Sequence, residues 1–250
     1  MLLPHDVLAV ACGSLVGFSL ALVGGGGSII AMPLLLYVVG LKDPHLAIGT
    51  SALAVSLNAF ANLIPHARAG HVRWRIAFAF AAAGVIGAYL GSSLGKIIDG
   101  RRLLILFALL MLAIAALMLR GRHRYDSASQ PRRHMFQRLG AIGFGAGGLA
   151  GFFGIGGGFL IVPGLLFGSG ISILEAVGTS LFCVGAFGMT AALNYALSGW
   201  VAWPVAWEFV AGGIAGGWLG SWGAHKLASM RGALSMLFAL VIVAVAIGML

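Results

Sequence analysis

Charge is what this chain has least of. Only 8% of its 250 residues are charged, and just six are acids. A soluble domain carries roughly 25% charged residues, so no water-facing surface can be built from this composition. What fills the space is hydrophobic, at 60% of residues and a mean hydropathy of +1.05. A lipid bilayer is the solvent that accepts such a surface, and the length then provides about eight to ten segments of roughly 20 residues each. Cysteine is also scarce. Cys12 and Cys183 both lie in apolar runs and neither belongs to a CxxC pair, which excludes a disulfide framework and a thiolate metal site and leaves two small buried hydrophobes. There is no HExxH, no GxSxG and no P-loop lysine. The chain therefore reads as a non-enzyme with no cofactor and no metal, and any pumping must draw on an ion gradient or the solute's own gradient. The net charge of +9 sits in loops, as expected of Lys and Arg that set membrane topology rather than bind nucleic acid.

The apolar runs fall at about 7–23, 28–40, 46–64, 76–95, 103–119, 139–155, 159–168, 173–197, 205–224 and 232–250. Asp6 precedes the first run where a leader would be basic, and no A-x-A site follows, so this run reads as a membrane segment rather than a cleaved leader. Two runs, 28–40 and 159–168, are too short to cross about 30 Å of hydrocarbon. Residues 120–138 hold six arginines against one acid and read as a cytoplasmic linker between membrane regions 1–119 and 139–250. Contact of this linker with lipid headgroups is the other use of its charge.

The two regions repeat each other. GGGGSIIAMPLLL from Gly24 matches GIGGGFLIVPGLL from Gly154, placing Pro33 on Pro163 at an offset of 130. Gly49-Thr50-Ser51 matches Gly178-Thr179-Ser180 at 129, AGHVRW from Ala69 matches SGWVAW from Ser198, and GVIGAYLGS from Gly84 matches GIAGGWLGS from Gly213. Four separated blocks at an offset of 129 to 130 mark an internal duplication. The loop 66–75 carries Arg68, Arg73 and Arg75, whereas its partner 195–204 has no Lys or Arg. The positive-inside rule then places equivalent loops on opposite sides, which predicts an all-α polytopic membrane protein of two inverted repeats, about five segments each. Lys96, Arg101 and Arg102 fall on the outer side in this scheme, against the rule.

Four contiguous glycines at 24–27 and four among the five residues 154–158 each cost a helix about 1 kcal/mol relative to alanine. In lipid a broken helix is tolerated only where it is buried in protein or lines a wet cavity. Matched breaks in two inverted halves point to a solute site. A helix that starts after each cluster directs free amides and a positive dipole end at the centre, and glycine lets an anion approach that backbone. The candidate binding residues are Gly25, Gly26, Gly27 and Ser28 with Gly156, Gly157 and Gly158, and the hydroxyls of Thr50, Ser51, Thr179 and Ser180. The competing use of these hydroxyls is to bond their own helix's carbonyls, and of the glycines, close helix packing. Packing is the expected role of Gly84, Gly87, Gly91, Gly213, Gly216, Gly217 and Gly220. Asn58, Asn62, Glu175, Asn194 and Glu208 are candidates for gating or proton coupling, against interfacial or helix-to-helix roles.

A glycine-rich break followed by a proline, then G-T-S, then a G-x-V-x-W-like loop, twice over, resembles the sulfite exporter family called TauE/SafE, across about residues 7 to 250. The resemblance implies a permease of the bacterial inner membrane that exports sulfite, an organosulfonate or a related sulfur-containing anion by alternating access, with the glycine clusters and the two Thr-Ser pairs as its central site. Two positions depart from equal half-sites: Gly25 matches Ile155, and Asn58 has Phe187 opposite it. An anion channel or passive pore, and an accessory subunit that does not itself transport, are the alternatives.

Overall fold

A computed structural model describes residues 4–23, 28–120 and 135–227. Gly25, Gly26 and Gly27, most of the linker and the run 232–250 lie outside the described residues. Every regular element among the described residues is helical. In chain order these are α1 (Pro4–Val23), α2 (Ser28–Val38), α3 (Pro44–Arg68), α4 (Trp74–Ile97), α5 (Gly100–Arg120), α6 (Met135–Phe153), α7 (Gly158–Ser169), α8 (Ile173–Ala196) and α9 (Trp203–Leu227).

Local chemistry sets the boundaries. Asp43 caps α3 by accepting from the His45 amide at 2.9 Å, with Pro44 opening the helix. Ser172 and Glu175 form a reciprocal capping box at the start of α8. Pro33 leaves α2 irregular: a tight turn at 28–30, a single α turn, then a π stretch Leu34–Val38 in which Val39 N donates back five residues to Leu34 O. A proline removes one donor and crowds the carbonyl four residues back, so the ladder is re-registered around it. α7, of 12 residues, rises only about 18 Å and α2 is shorter still, so neither crosses a bilayer alone.

The outer surface is that of a membrane protein. α4 buries its small residues, among them Ala77, Ala81, Gly84, Gly87, Ala88 and Gly91. It exposes most of its large ones, among them Phe78, Ile86, Leu90 and Leu94, while Phe80 is buried. That inversion of the soluble pattern lets backbones approach while bulky side chains meet lipid. α3, α4 and α8 each have the length and apolarity to cross a membrane. The predicted packing glycines do pack: a Cβ on Gly91 would stand 2.0 Å from the Gly148 carbonyl oxygen, and one on Gly216 equally close to that of Ser14.

Two of the helix pairings occur again between the equivalent helices of the other half. α4 lies along α6, and α1 lies along α9; α8 touches α4 as α3 touches α9. At the centre α3 crosses α8. Thr50, near the start of α3, accepts from the Ala202 amide beyond the end of α8, at 3.0 Å. Thr179, near the start of α8, accepts from the Arg73 amide beyond the end of α3, at 3.1 Å. The two equivalent helices are therefore antiparallel. Their crossing is marked by Ser56, which donates to the Gly185 carbonyl at 2.7 Å, a pair whose members are each other's equivalents at 185 − 56 = 129.

Candidate solute site at the helix break

α6 ends at Phe153 and α7 begins at Gly158, and the connection is not α-helical. Gly154, Gly156 and Gly157 take φ of 63°, 65° and 64°, a left-handed conformation that costs other residues roughly 1–2 kcal/mol each. Glycine is thus the residue that lets the backbone take this conformation at three of the four positions 154–157. Leu160 and Ile161 both donate to the Gly157 carbonyl, at 2.9 and 3.2 Å, so the new helix starts there. The amides ahead of them, on Gly158 and Phe159, belong to the positive end of the α7 dipole.

This break lies inside the protein. Ile155 is fully buried, and the glycines around it face α3, α6 and α8 closely. A Cβ at Gly154 would stand 2.5 Å from the Ile48 carbonyl oxygen; at Gly156 it would meet Val184 and Val55, and at Gly157 Ala150. Val55 and Val184 are equivalents of one another, 184 − 55 = 129, so Gly156 sits where α3 and α8 cross.

The hydroxyls divide. Ser51 reaches the break, donating to the Gly154 carbonyl at 3.0 Å and to its own helix at Ile48. Ser180 donates to Val177 O at 2.8 Å. Ser28 is buried and has a partner. Thr50 and Thr179 instead hold the two equivalent loops. Each sits beside a glycine, Gly49 or Gly178, that lets a loop carbonyl, from Trp200 or His71, come against the helix backbone. The Gly-Thr pair of each G-T-S motif is therefore, in this structure, a dock for the loop of the opposite half.

The five gating candidates are not brought together. Asn58 and Asn62 lie between α3 and α9, against Gly213 and Gly217. Asn62 donates to the Asn58 carbonyl at 2.9 Å, while neither side-chain amide atom of Asn58, which is fully buried, has a partner. At the equivalent place Phe187 fills the space against Gly84. Glu175 serves the α8 cap and pairs with Arg73, Nε to Oε1 at 2.8 Å. Glu208 is half-buried on α9 and an electrostatic neighbour of Asp6. Asn194, at the far end of α8, accepts from Lys96 and donates to Ser92 and Ser93. Sequence reasoning missed Ser56; its position at the self-equivalent point of the repeat was the available signal.

A helical membrane bundle with a buried glycine break beside the crossing of two equivalent antiparallel helices defines a class, and comparison with known proteins makes it specific. The family described as sulfite exporter TauE/SafE matches residues 9–249, and the chain belongs to that family. It is similar to a protein of Xylella fastidiosa (strain Temecula1) named "Probable membrane transporter protein", 52% identical over 99% of this chain and 95% of that one. It is also similar to "Probable membrane transporter protein YunE" of Bacillus subtilis, 28% identical over 79% of this chain and 80% of the relative. A third relative, "Probable membrane transporter protein MJ0441" of Methanocaldococcus jannaschii, is 30% identical over 65% of this chain and 61% of its own. No solved structure matches significantly.

Proposed function

We propose that this membrane protein is a secondary transporter of a small sulfur-containing anion, such as sulfite or an organosulfonate. Membership of the TauE/SafE family and the transporter names of its relatives support the class. The observation that carries the mechanism is the helix break at 154–157, buried against the crossing of α3 and α8. Backbone amides at a helix start recognise an oxyanion without a buried cation, so the solute is bound tightly enough to select and weakly enough to release. Val55, Val184 and Ile48 cover the break here, which is the arrangement of a closed state. Exchange of which half is closed, about the α3/α8 crossing, would expose the break to one side and then the other, as inverted repeats permit. The positive-inside rule favours a cytoplasmic side for the basic linker, and export is the direction that the family description suggests.

The test is a thermal-shift screen of the purified protein against sulfite, sulfoacetate, sulfate and an uncharged sulfone. A true solute raises the melting temperature as its concentration passes Kd, because it binds the folded state alone. Stabilisation by a sulfur oxyanion and none by the sulfone is expected. An equal response to both, or to neither, rejects the reading.

A further inference from the structure

The positive-inside reading of the loops disfavours a cation at Lys96, and the structure shows which groups hold it. Its ammonium is turned inward at the end of α4, donating to Asn194 Oδ1 and to Ser198 Oγ, both at 2.7 Å. It lies 5.9 Å from the centre of the Tyr195 ring. Among the described residues no carboxylate is within ion-pair distance of it. Two neighbouring polar atoms are buried and unpartnered, the Tyr195 hydroxyl and His45 Nδ1. Beside this group lies a shallow pocket of about 640 Å³, largely open to the surface and lined by His45, Lys96, Ile97, Arg101 and Trp200 among others. His45 and Trp200 stack at 4.6 Å to give it a flat wall. Asp43 and Asp99 also line it, each already used as a helix cap, toward the amides of His45 and Arg101.

The opposite end of the repeat does without this set. The equivalents of Lys96, Asn194, Ser198 and Trp200 at an offset of 129 are His225, Pro65, Ala69 and His71. The fold therefore does not require a lysine held by an asparagine and a serine at this place. A cation with no carboxylate in ion-pair contact, an unpartnered imidazole nitrogen and an aromatic wall in one lining are the parts of a ligand site.

We propose that this cavity binds a small organic anion, its single charged group received by Lys96 and its body lying on the His45–Trp200 stack. The open side of the pocket leaves room for an organic body, and the two capping aspartates disfavour a second negative charge. The site is a first docking point for the solute of the transporter proposed above, and it rests on that reading for its role though not for its existence.

The test uses detergent-solubilised full-length protein carrying Ile97→Cys, a cavity-lining position that is 81% exposed. The native cysteines are buried and stay silent. Ethanesulfonate is the probe, and the rate of maleimide labelling is the readout. Ethanesulfonate is expected to slow labelling, and a Lys96→Met change on the same background is expected to abolish that protection while thermal melting stays cooperative. Should Lys96→Met not melt cooperatively, Ser198→Ala, on an exposed turn, loosens the lysine and is expected to weaken protection about tenfold. No protection by ethanesulfonate, or protection that survives both changes, overturns the proposal. So does slowing by phosphatidylglycerol that ethanesulfonate cannot displace, which would make this a lipid headgroup site. Since labelling does not depend on flux, its failure leaves the transporter reading standing, and a failed solute screen leaves this site standing.

Discussion

At the scale of single residues, the two threonines carry more structure than their neighbouring glycines suggested. Thr50 and Thr179 each accept the amide of a loop from the other half. Valine fills the same volume without the oxygen, so Thr179→Val leaves the Arg73 amide without its side-chain partner and should destabilise by about 1–3 kcal/mol. Thermal unfolding in detergent measures this, and an unchanged melting temperature would mean the loop is held by something else. Asn58 offers the opposite sign. Its amide is buried without a partner where Phe187 packs in the other half. Asn58→Leu should therefore raise stability, by up to about 2 kcal/mol, because two unsatisfied groups are removed together. A lower melting temperature would show that the amide has a partner in solution. Glycines and prolines advertise themselves in a sequence because they change the backbone directly. A threonine hydroxyl does not, since its partner lies 106 or 152 residues away.

At the scale of elements, the helices were legible and so was the break. The run 159–168 became α7 (Gly158–Ser169), and four glycines before it ended α6 at Phe153. The physical reason is that lipid forces every backbone group into a helix, so an interruption has few sequence signatures and polyglycine is the strongest. The π stretch in α2 was not legible, because Pro33 states that the ladder must break but not how it is repaired. Nor was the pairing of α1 with α9 and α4 with α6, although the small residues that permit it were visible. These pairs make a sharp contrast. A Cβ at Gly147 would stand 2.0 Å from the Gly84 carbonyl oxygen, whereas at Gly145, on the same helix, it meets nothing within 4 Å. Gly147→Leu should cost at least about 3 kcal/mol through forced separation of α4 and α6. Gly145→Ala should shift stability by no more than about 0.5 kcal/mol. Comparable melting curves for the two variants would contradict the packing of α4 on α6.

At the scale of the whole molecule, the sequence duplication is matched among the described residues by paired contacts: α4 with α6 and α1 with α9, and α4 with α8 and α3 with α9. What the sequence could not show is the crossing itself, since Val55, Val184, Ser56 and Gly185 are brought together only by folding. Membrane orientation remains a proposal with a direct check. Cysteine at Ile97 should react with an impermeant maleimide on intact cells, and cysteine at Ser127 in the basic linker only after permeabilisation. The reverse pattern would invert the assigned sides.

The central claim is that the backbone at the break between α6 and α7 receives the solute. Saturable flux of sulfite or sulfoacetate into proteoliposomes tests it, comparing the native chain with Gly156→Ala. That change adds one methyl where Val55 and Val184 approach, at a left-handed position, so it should fold with about 1–2 kcal/mol of strain and narrow the break. The account predicts a cooperatively melting variant whose flux has fallen at least about tenfold. A folded Gly156→Ala protein with native flux and native KM would place the solute elsewhere.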